Sequence, residues 1–119
     1  MRIGKDLVAA SATPLVLAIL SESESYGYAI LKRVNELSGG ELEWTDGMLY
    51  PLLHRLDRLG YVEAKWRILQ GRRRKYYLIT PRGRSALADQ RRQWSVVTGA
   101  LHGAWHEMRP VMPLVPAVC

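Results

Sequence analysis

The fold of this chain is decided by residues 45–80, which read TDGMLYPLLHRLDRLGYVEAKWRILQGRRRKYYLIT. Thr45 is a typical N-cap residue, and Asp46 follows it at the end of a helix where the helix dipole favours an acidic side chain. The leucines that come next recur at the spacing i, i+3, i+4 and i+7, which places them on one side of a helix. They are Leu49, Leu52, Leu53, Leu56 and Leu59. This pattern predicts an amphipathic helix over Asp46–Leu59, which Gly60 ends.

The second half of the same stretch predicts a β-hairpin. Apolar and charged residues alternate over Tyr61–Ile68, which is the pattern of a half-buried strand. Gln70-Gly71 supplies a turn, and Arg74–Ile79 forms the return strand. The tip of this hairpin is basic and reads Gly71-Arg72-Arg73-Arg74-Lys75. Since successive side chains of a strand point to opposite faces, we expect one or two of these cations to pack along the sheet while the others meet a partner.

Two shorter helices are predicted before residue 45. Thr13-Pro14 is typical of an N-cap followed by a proline in the first turn, so a first helix would begin at Pro14. The residues before it would form an arm that is bent at the proline. Ser25 is the predicted N-cap of a second helix over Tyr26–Leu37. Gly39-Gly40 would end that helix with a left-handed cap.

A long helix and a short tail are predicted after the hairpin. Thr80-Pro81 repeats the signal of an N-cap and a first-turn proline, and it opens a helix that extends to about Met108. The prolines among the last eleven residues predict a tail that is not helical. We therefore divide the chain into three helices and a hairpin over residues 1–80, a helix over residues 81–108, and a proline-rich tail over residues 109–119.

Composition limits the classes of protein to which the chain can belong. Its 119 residues are 48% hydrophobic, which is the content of a folded chain and suffices for one domain with one core. The single cysteine, Cys119, excludes an internal disulfide and fits a reducing compartment, so we expect a cytoplasmic protein. No apolar run reaches the roughly 20 residues of a membrane span. The apolar segment Leu7–Leu20 is interrupted by Ser11, Thr13 and Pro14, so we expect neither a membrane anchor nor a signal peptide.

The net charge of +6 is unevenly distributed along the chain. Residues 55–92 contain 12 Lys and Arg against 3 Asp and Glu, a net charge of +9, whereas residues 1–54 carry a net charge of −3. A solvated basic face is one interpretation of such a cluster. The other is a contact surface for a polyanion such as nucleic acid, because a local excess of cations is the electrostatic footprint of that kind of partner.

The order of the predicted elements favours one architecture. Two helices, a capped third helix and a basic hairpin follow each other in a winged helix-turn-helix. The predicted fold class is therefore α+β, mostly α, with a winged helix-turn-helix followed by a long C-terminal dimerisation helix. The third helix would present its outer face to the major groove of double-stranded DNA, while the hairpin lies along phosphates or enters the minor groove. The alternative is a winged-helix module that binds ligands or proteins and has no operator of its own.

Several short motifs resemble those of the PadR family of bacterial transcriptional regulators. They stand in the family's order between about Leu15 and Trp105, and they are Ser25-Tyr26-Gly27-Tyr28, Met48-Leu49-Tyr50-Pro51, Leu53-His54-Arg55-Leu56, Gly71-Arg72-Arg73-Arg74-Lys75-Tyr76-Tyr77 and Thr80-Pro81-Arg82-Gly83-Arg84. The resemblance implies a DNA-binding winged helix, a homodimer formed through the C-terminal helix, and repression that a ligand relieves. The single C-terminal helix is similar to the short form of the family, whereas Pro14 and the proline-rich tail depart from its pattern.

The candidate DNA-binding residues come from four parts of the chain. On the outer face of the third helix, Tyr50 and His54 can offer hydrogen bonds and apolar edges to bases, although Tyr50 could instead only cover the base of the hairpin. Tyr26 and Tyr28 lie on different faces of the second helix, so we expect one in the core and the other at a phosphate. The predicted set is Tyr26, Thr45, Tyr50, His54, Arg58, Arg72, Arg73, Arg74 and Lys75.

The last helix carries an apolar stripe with nearly heptad spacing. Its members are Leu87, Trp94, Val97, Leu101, Trp105 and Met108. No other predicted element covers this stripe, so burial against a second copy of the chain is the simplest solution, and we expect a homodimer. In some relatives a tryptophan near this place lines an apolar pocket, so the resemblance makes Trp94 the candidate contact for a small aromatic or hydrophobic effector. A dimer-core aromatic without a ligand is the alternative for Trp94.

Nothing in the sequence indicates chemistry beyond binding. His102 and His106 share a helical face as two metal ligands would, and Glu107 or Cys119 could complete a site, but a two-ligand signal is weak. The sequence shows no nucleophile next to a general base, no Gly-rich phosphate loop and no cofactor motif. We therefore expect no metal, no cofactor and no enzymatic activity.

Overall fold

The order of elements is four helices with a hairpin between the third and the fourth. In the computed structural model, which describes residues 2–108, the helices are α1 (Lys5–Glu22), α2 (Gly27–Leu37), α3 (Asp46–Arg58) and α4 (Pro81–His106). The hairpin consists of β1 (Val62–Leu69) and β2 (Arg72–Ile79), which pair in an antiparallel manner. The predicted class of a mostly helical α+β winged-helix fold with a long last helix is confirmed. The predicted tail over residues 109–119 lies outside the described residues.

Helix α1 is longer than predicted. It begins at Lys5 and continues through Pro14, so the prediction of a helix that starts at Pro14 is wrong. A proline inside a helix removes only one backbone donor, the one that would reach the carbonyl of Ala10, and Ala10 is exposed to solvent. The buried side of the helix continues on both sides of the proline, with Ala12 before it and Val16 after it. Burial of this continuous face outweighs the single missing hydrogen bond.

Helix α2 begins one residue later than predicted, because Ser25 has another role. Its N-cap residue is Tyr26, which makes no side-chain capping hydrogen bond. Ser25 instead pairs with Tyr77 of β2: the Ser25 N–H donates to the Tyr77 carbonyl at 3.1 Å, and the Tyr77 N–H donates to the Ser25 carbonyl at 2.7 Å. The predicted left-handed end of the helix is confirmed, since Gly39 and Gly40 have φ angles of 63° and 89°.

Helix α3 begins with the predicted N-cap and ends one residue before its predicted end. The Thr45 hydroxyl accepts a hydrogen bond from the Met48 N–H at 3.3 Å, which confirms the N-cap. Four of the five predicted leucines are buried in the core, namely Leu49, Leu52, Leu53 and Leu56. The prediction for Leu59 is wrong: the helix ends at Arg58, and Leu59 is 43% exposed as its C-cap residue. Gly60, with a φ of 79°, turns the chain toward the hairpin.

The hairpin, which we call the wing, closes with a two-residue turn. Gln70 and Gly71 both have positive φ angles, 52° and 76°, as the tightest hairpin turns require. Both strands extend to this turn, so the basic run lies within β2 and not in a loop. The predicted inward alternation of β1 holds only near its start, because Val62 is buried whereas Trp66 and Ile68 are 56% and 74% exposed.

The start of α4 belongs to the same core as α1–α3. Thr80 caps the helix by accepting a hydrogen bond from the Gly83 N–H at 3.0 Å, which confirms the predicted signal. Gly83 is buried so tightly that an added Cβ would collide with the carbonyl oxygen of Tyr61. Leu87, one turn further, is also buried. Beyond Leu87 the helix leaves the core and exposes most of its surface. None of the helices within residues 2–108 is both long and apolar enough to cross a membrane.

Candidate nucleic-acid interface

The outer face of α3 carries three of the predicted site residues. Tyr50, His54 and Arg58 are spaced four residues apart, so they form one stripe on the side opposite the buried leucines. All three are exposed, Tyr50 to 37%. The structure therefore brings together one aromatic, one imidazole and one guanidinium side chain on a surface that the core does not use.

Tyr50 has a second role in the fold. Its hydroxyl lies directly on Gly27 at the start of α2, because an added Cβ at that glycine would overlap the Tyr50 hydroxyl oxygen. Tyr50 therefore spans the gap between α3 and α2 while part of its ring faces solvent. It covers the start of α2, which differs from the alternative prediction that it covers only the base of the wing.

The wing cations divide between the two faces of the hairpin, as strand geometry predicts. The guanidinium carbon of Arg73 lies 4.3 Å from the centre of a Trp66 ring, and the Nζ atom of Lys75 lies 6.0 Å from the same ring. On the other face, the guanidinium carbon of Arg74 lies 4.3 Å from the centre of the Tyr26 ring. Arg72, beside the turn, is exposed. Positive charge is thus presented on both faces of the wing.

The two tyrosines of α2 occupy different environments from those predicted. Tyr26 is half-buried and packs against Tyr76, with ring centres 5.3 Å apart. Tyr28 is 68% exposed. Neither is a core residue, so the expectation that one of them is buried in the core is wrong. Tyr77, which pairs with Ser25, is the tyrosine that fills the core instead, and its burial raises the pKa of its hydroxyl. A phosphate contact by Tyr26 stays a prediction.

An ion pair joins the wing to the segment before α2. Arg67 of β1 donates from Nε to the Glu24 Oε1 at 2.9 Å and from Nη2 to the Glu24 Oε2 at 2.6 Å. This two-point contact lowers the pKa of the Glu24 carboxyl, chiefly through the hydrogen bond from Arg67. Sequence reasoning missed the pair because Glu24 and Arg67 are 43 positions apart and no local pattern connects them. Together with the Ser25–Tyr77 bridge, the pair fixes the wing relative to the start of α2.

A cleft of about 440 Å³ separates the wing from the start of α2 and α3. Its walls contain only aromatic, cationic and glycine residues, and no carboxylate: Tyr26, Gly27, Tyr28, Tyr50, Trp66, Arg73, Arg74 and Lys75. Cations interleaved with aromatic rings are suited to the phosphates, sugars and bases of a nucleic acid. Thr45 and His54 lie outside this cleft.

The apolar stripe of α4 is partly covered by the chain itself. Leu87 is only 9% exposed and lies in the core, so the expectation that no other element covers the stripe is wrong at this end. Trp94 is half-buried beside α1. The remaining members are exposed to 41–63%, and they are Val97, Leu101, Trp105 and Met108. A groove of about 530 Å³ lies between α1 and α4 and is lined by Ala10, Thr13, Gln90, Gln93, Trp94 and Val97.

One of the two histidines of α4 makes an aromatic contact. His102 meets the ring of Trp105 edge-on, with ring centres 5.7 Å apart. Among residues 2–108, no three His, Asp or Glu side chains come close enough together to hold a metal ion. Cys119, a further ligand considered from the sequence, lies outside these residues. The structure therefore adds no support to a metal site at His102 and His106.

Residues 16–89 match the model of a protein family described as the transcriptional regulator PadR-like family. The matched segment runs from the middle of α1 into α4, so it contains all of α2, α3 and the wing. It covers more than half of the chain, and every residue of the predicted DNA-binding set falls within it.

Individual relatives agree with this family match. The structure is similar to that of a PadR-like transcriptional regulator from Bacillus cereus, with a TM-score of 0.79 and 25% identity, over 87% of this chain and 100% of that one. It is also similar to a protein from Streptococcus mutans, with a TM-score of 0.76 and 33% identity, over 87% of this chain and 94% of that one. A transcriptional regulator from Mycobacterium tuberculosis is 44% identical over 57 residues, which are 48% of this chain and 53% of that protein.

Proposed function

The chain belongs to the PadR-like family of transcriptional regulators, and from this we propose that it is a homodimeric, sequence-specific DNA-binding repressor that responds to a small effector. The family consists of transcriptional regulators and not of enzymes. The observation that carries the proposal is the cleft in which Tyr50, on the exposed face of α3, lies across from Arg73, Arg74 and Lys75 of β2. The partner is double-stranded DNA.

Helix α3 is the element that reads the base sequence. Its exposed stripe includes His54, whose imidazole is open to solvent and can donate or accept a hydrogen bond at a base edge in the major groove. Arg58, one turn further, is suited to a phosphate. Thr45 at the N-terminus of the helix adds a phosphate contact, because the positive end of the helix dipole favours an anion there.

The wing supplies affinity that does not depend on sequence. Phosphates on both sides of the hairpin are contacted by its four consecutive cations, Arg72, Arg73, Arg74 and Lys75. Each phosphate that they neutralise releases condensed counterions from the DNA. The exposed tip, with Gln70 and Gly71 in a narrow turn, is thin enough to lie along or within the minor groove.

The C-terminal half of α4 forms the dimer. Three large apolar residues, Val97, Leu101 and Trp105, remain exposed on one side of the helix in a single copy of the chain, and Met108, two residues beyond the end of the helix, is exposed as well. A second copy that packs along the same stripe removes them from water. Two linked copies present two α3 helices to successive major grooves, which is the arrangement that gives tight binding to a two-fold symmetric operator.

The effector binds beside Trp94. The groove between α1 and α4 has the volume of a small-molecule site, and the half-buried indole offers a flat apolar surface. A small aromatic or hydrophobic molecule stacked there would change the packing of α4 against α1 and thereby the spacing of the two α3 helices. Repression that such a ligand relieves is the mode that the family resemblance implies.

A DNA shift assay on the region upstream of the protein's own gene tests this function. We expect binding that weakens steeply with salt, and a variant with alanine at Arg72, Arg73, Arg74 and Lys75 should show a log–log slope that is shallower by about 0.9 for each phosphate that is no longer neutralised. Wild-type protein that binds no DNA under any of these conditions would support the alternative, a winged-helix module without its own operator.

A further inference from the structure

Trp66 is an exposed indole in the middle of the wing, and the fold of the chain does not account for it. The residue is 56% exposed, although the strand that carries it has a buried residue, Val62, at its start. In the sheet register Trp66 stands directly opposite Lys75, and its ring also lies under the guanidinium of Arg73 at 4.3 Å. Arg73 therefore stacks on the Trp66 ring, and the Lys75 Nζ atom lies between that ring, at 6.0 Å, and the ring of Tyr77, at 5.9 Å.

The cations on this ring differ from Lys65 and Arg67 of β1 in how they are held. Arg67 is paired with Glu24, and Lys65 lies 3.4 Å from Glu63, so both of those charges are partly neutralised by carboxylates. Within residues 2–108, no carboxylate forms an ion pair with Arg73 or Lys75. An aromatic ring orients a cation through its quadrupole and leaves the charge in place.

We propose that Trp66 is a positioning residue that holds Arg73 and Lys75 in the geometry in which they bind DNA phosphates. This inference rests on the proposed function and names the device that prepares the wing for its partner. Stacking uses the flat face of the guanidinium, whereas its N–H groups point outward from the edge, so Arg73 can bind a phosphate without leaving the ring. A side chain that is already oriented loses less rotamer freedom when the complex forms.

Tyr26 acts in the same way on the opposite face of the wing. Its ring lies 4.3 Å from the guanidinium carbon of Arg74 and is itself fixed by Tyr76. The wing thus carries an aromatic ring beside an arginine on each of its faces. Trp66 gives the cleaner test, because it is largely exposed and its replacement leaves the core intact.

The test measures the affinity of the full chain for a DNA duplex of random sequence by fluorescence anisotropy over a range of salt concentrations. A cation–π contact at an exposed site corresponds to about a two- to fivefold change in affinity for each wing, so Trp66→Ala should weaken a dimer by about 4- to 25-fold. The salt slope should stay unchanged, because the same phosphates are still bound. Arg73→Ala/Lys75→Ala should instead lower the slope by about 0.9 for each phosphate that is no longer neutralised.

Four further variants isolate the contribution of the ring. Trp66→Phe should keep most of the affinity, whereas Trp66→Leu, which has apolar bulk but no π face, should lose as much as Trp66→Ala. Ile68→Ala removes another exposed apolar residue from the same face and should stay within about twofold of the wild type, since only a ring attracts the cations. Trp66→Ala in the Arg73→Ala/Lys75→Ala background should cause no further loss of affinity. The far-UV circular dichroism of each variant confirms that it is folded.

Three results would overturn the inference and leave the proposed function standing. They are wild-type affinity in Trp66→Leu, an equal loss of affinity in Ile68→Ala, and a further loss from Trp66→Ala when Arg73 and Lys75 are already absent. If the wild-type chain itself binds neither this duplex nor the DNA upstream of its gene, the proposed function fails and the inference fails with it.

Discussion

We expect recognition of the base sequence to depend on His54 more than on any other residue. It lies at the centre of the exposed stripe of α3 and makes no side-chain hydrogen bond to the other residues within 2–108. A base-edge contact contributes about 1–3 kcal/mol of discrimination against the wrong base. We expect His54→Ala to reduce the ratio of operator affinity to random-DNA affinity by that amount for each half-site.

The matched control for this prediction is Arg58→Ala on the same stripe. A phosphate contact carries no sequence information, so the loss of Arg58 should weaken binding to operator and to random DNA alike. Competition binding with both duplexes measures the two affinities. Equal losses on the two DNAs for His54→Ala would show that His54 positions the helix and does not read bases.

Glu24 holds the wing through Arg67, and its effect should depend on pH. The pKa of the Glu24 carboxyl in the folded chain lies below its ordinary value because of the hydrogen bond from Arg67. The pair therefore stabilises the folded state above that ordinary pKa, and this contribution is lost as the pH falls through the lowered pKa. Glu24→Gln should lower the thermal unfolding midpoint slightly at neutral pH, and the difference from the wild type should shrink as the pH falls below the ordinary pKa of a glutamate.

Glu22, an exposed carboxylate two residues away, provides the comparison for Glu24. No ion pair links Glu22 to another side chain within residues 2–108, so Glu22→Gln should leave the midpoint unchanged at either pH. A difference between wild type and Glu24→Gln that is as large at acid pH as at neutral pH would mean that the carboxylate charge is not what holds the wing.

Helix α1 is an element in which burial outweighs a local helix-start signal, Thr13-Pro14. Pro14 leaves the Ala10 carbonyl without its helical donor, yet the helix runs from Lys5 to Glu22. Pro14→Ala should restore that hydrogen bond and raise the free energy of unfolding by about 1–2 kcal/mol. Ala10→Gly should lower it by about 1 kcal/mol, since residue 10 lies in the interior of the helix. Chemical denaturation that shows no effect of Ala10→Gly would indicate that the helix begins at Pro14.

The sequence contains enough information for elements whose signals are local. Four such signals depend only on neighbours within a few residues, and the structure has each of them. They are the cap at Thr45, the leucine spacing of α3, the Gln70-Gly71 turn and the cap at Thr80. The prediction for the start of α1 is wrong because its outcome depends on burial against other helices. The local signal Thr13-Pro14 is a genuine cap pattern that tertiary packing overrides.

The sequence predicts the residues of the candidate site better than it predicts the contacts between them. The exposed stripe of α3 follows from the position of its leucines, and the split of the wing cations follows from strand geometry. The contacts of Tyr50 with Gly27 and of Glu24 with Arg67 join segments that are distant in sequence, so no periodicity could reveal them. Trp66 fits the inward alternation of β1 in the sequence, but the wing extends past the helices that would cover it.

In the whole molecule, we expect the exposed half of α4 to determine whether the α3 helices of two copies bind DNA together. Leu101 is 41% exposed in a single copy and lies at the centre of the apolar stripe. Leu101→Glu places a charge in the proposed seam, where burial without a partner is costly. We expect sedimentation velocity to show monomer or aggregate in place of a dimer, with loss of tight operator binding because the two half-sites become independent.

Val96 provides the control for the dimer seam. It is an exposed apolar residue of the same helix, at 68%, but it lies on a different side from Leu101. Val96→Glu should therefore sediment as the wild type does. If Leu101→Glu also sediments as a wild-type dimer, the interface lies elsewhere.

A hydroxyl-radical footprint on the DNA upstream of the gene tests whether a dimer of this chain places two α3 helices on one operator. We expect two protected segments separated by about one helical turn, roughly 10 base pairs, and no fixed pattern on random DNA at the same salt concentration. A single protected segment, or the same uniform protection on both DNAs, would contradict it.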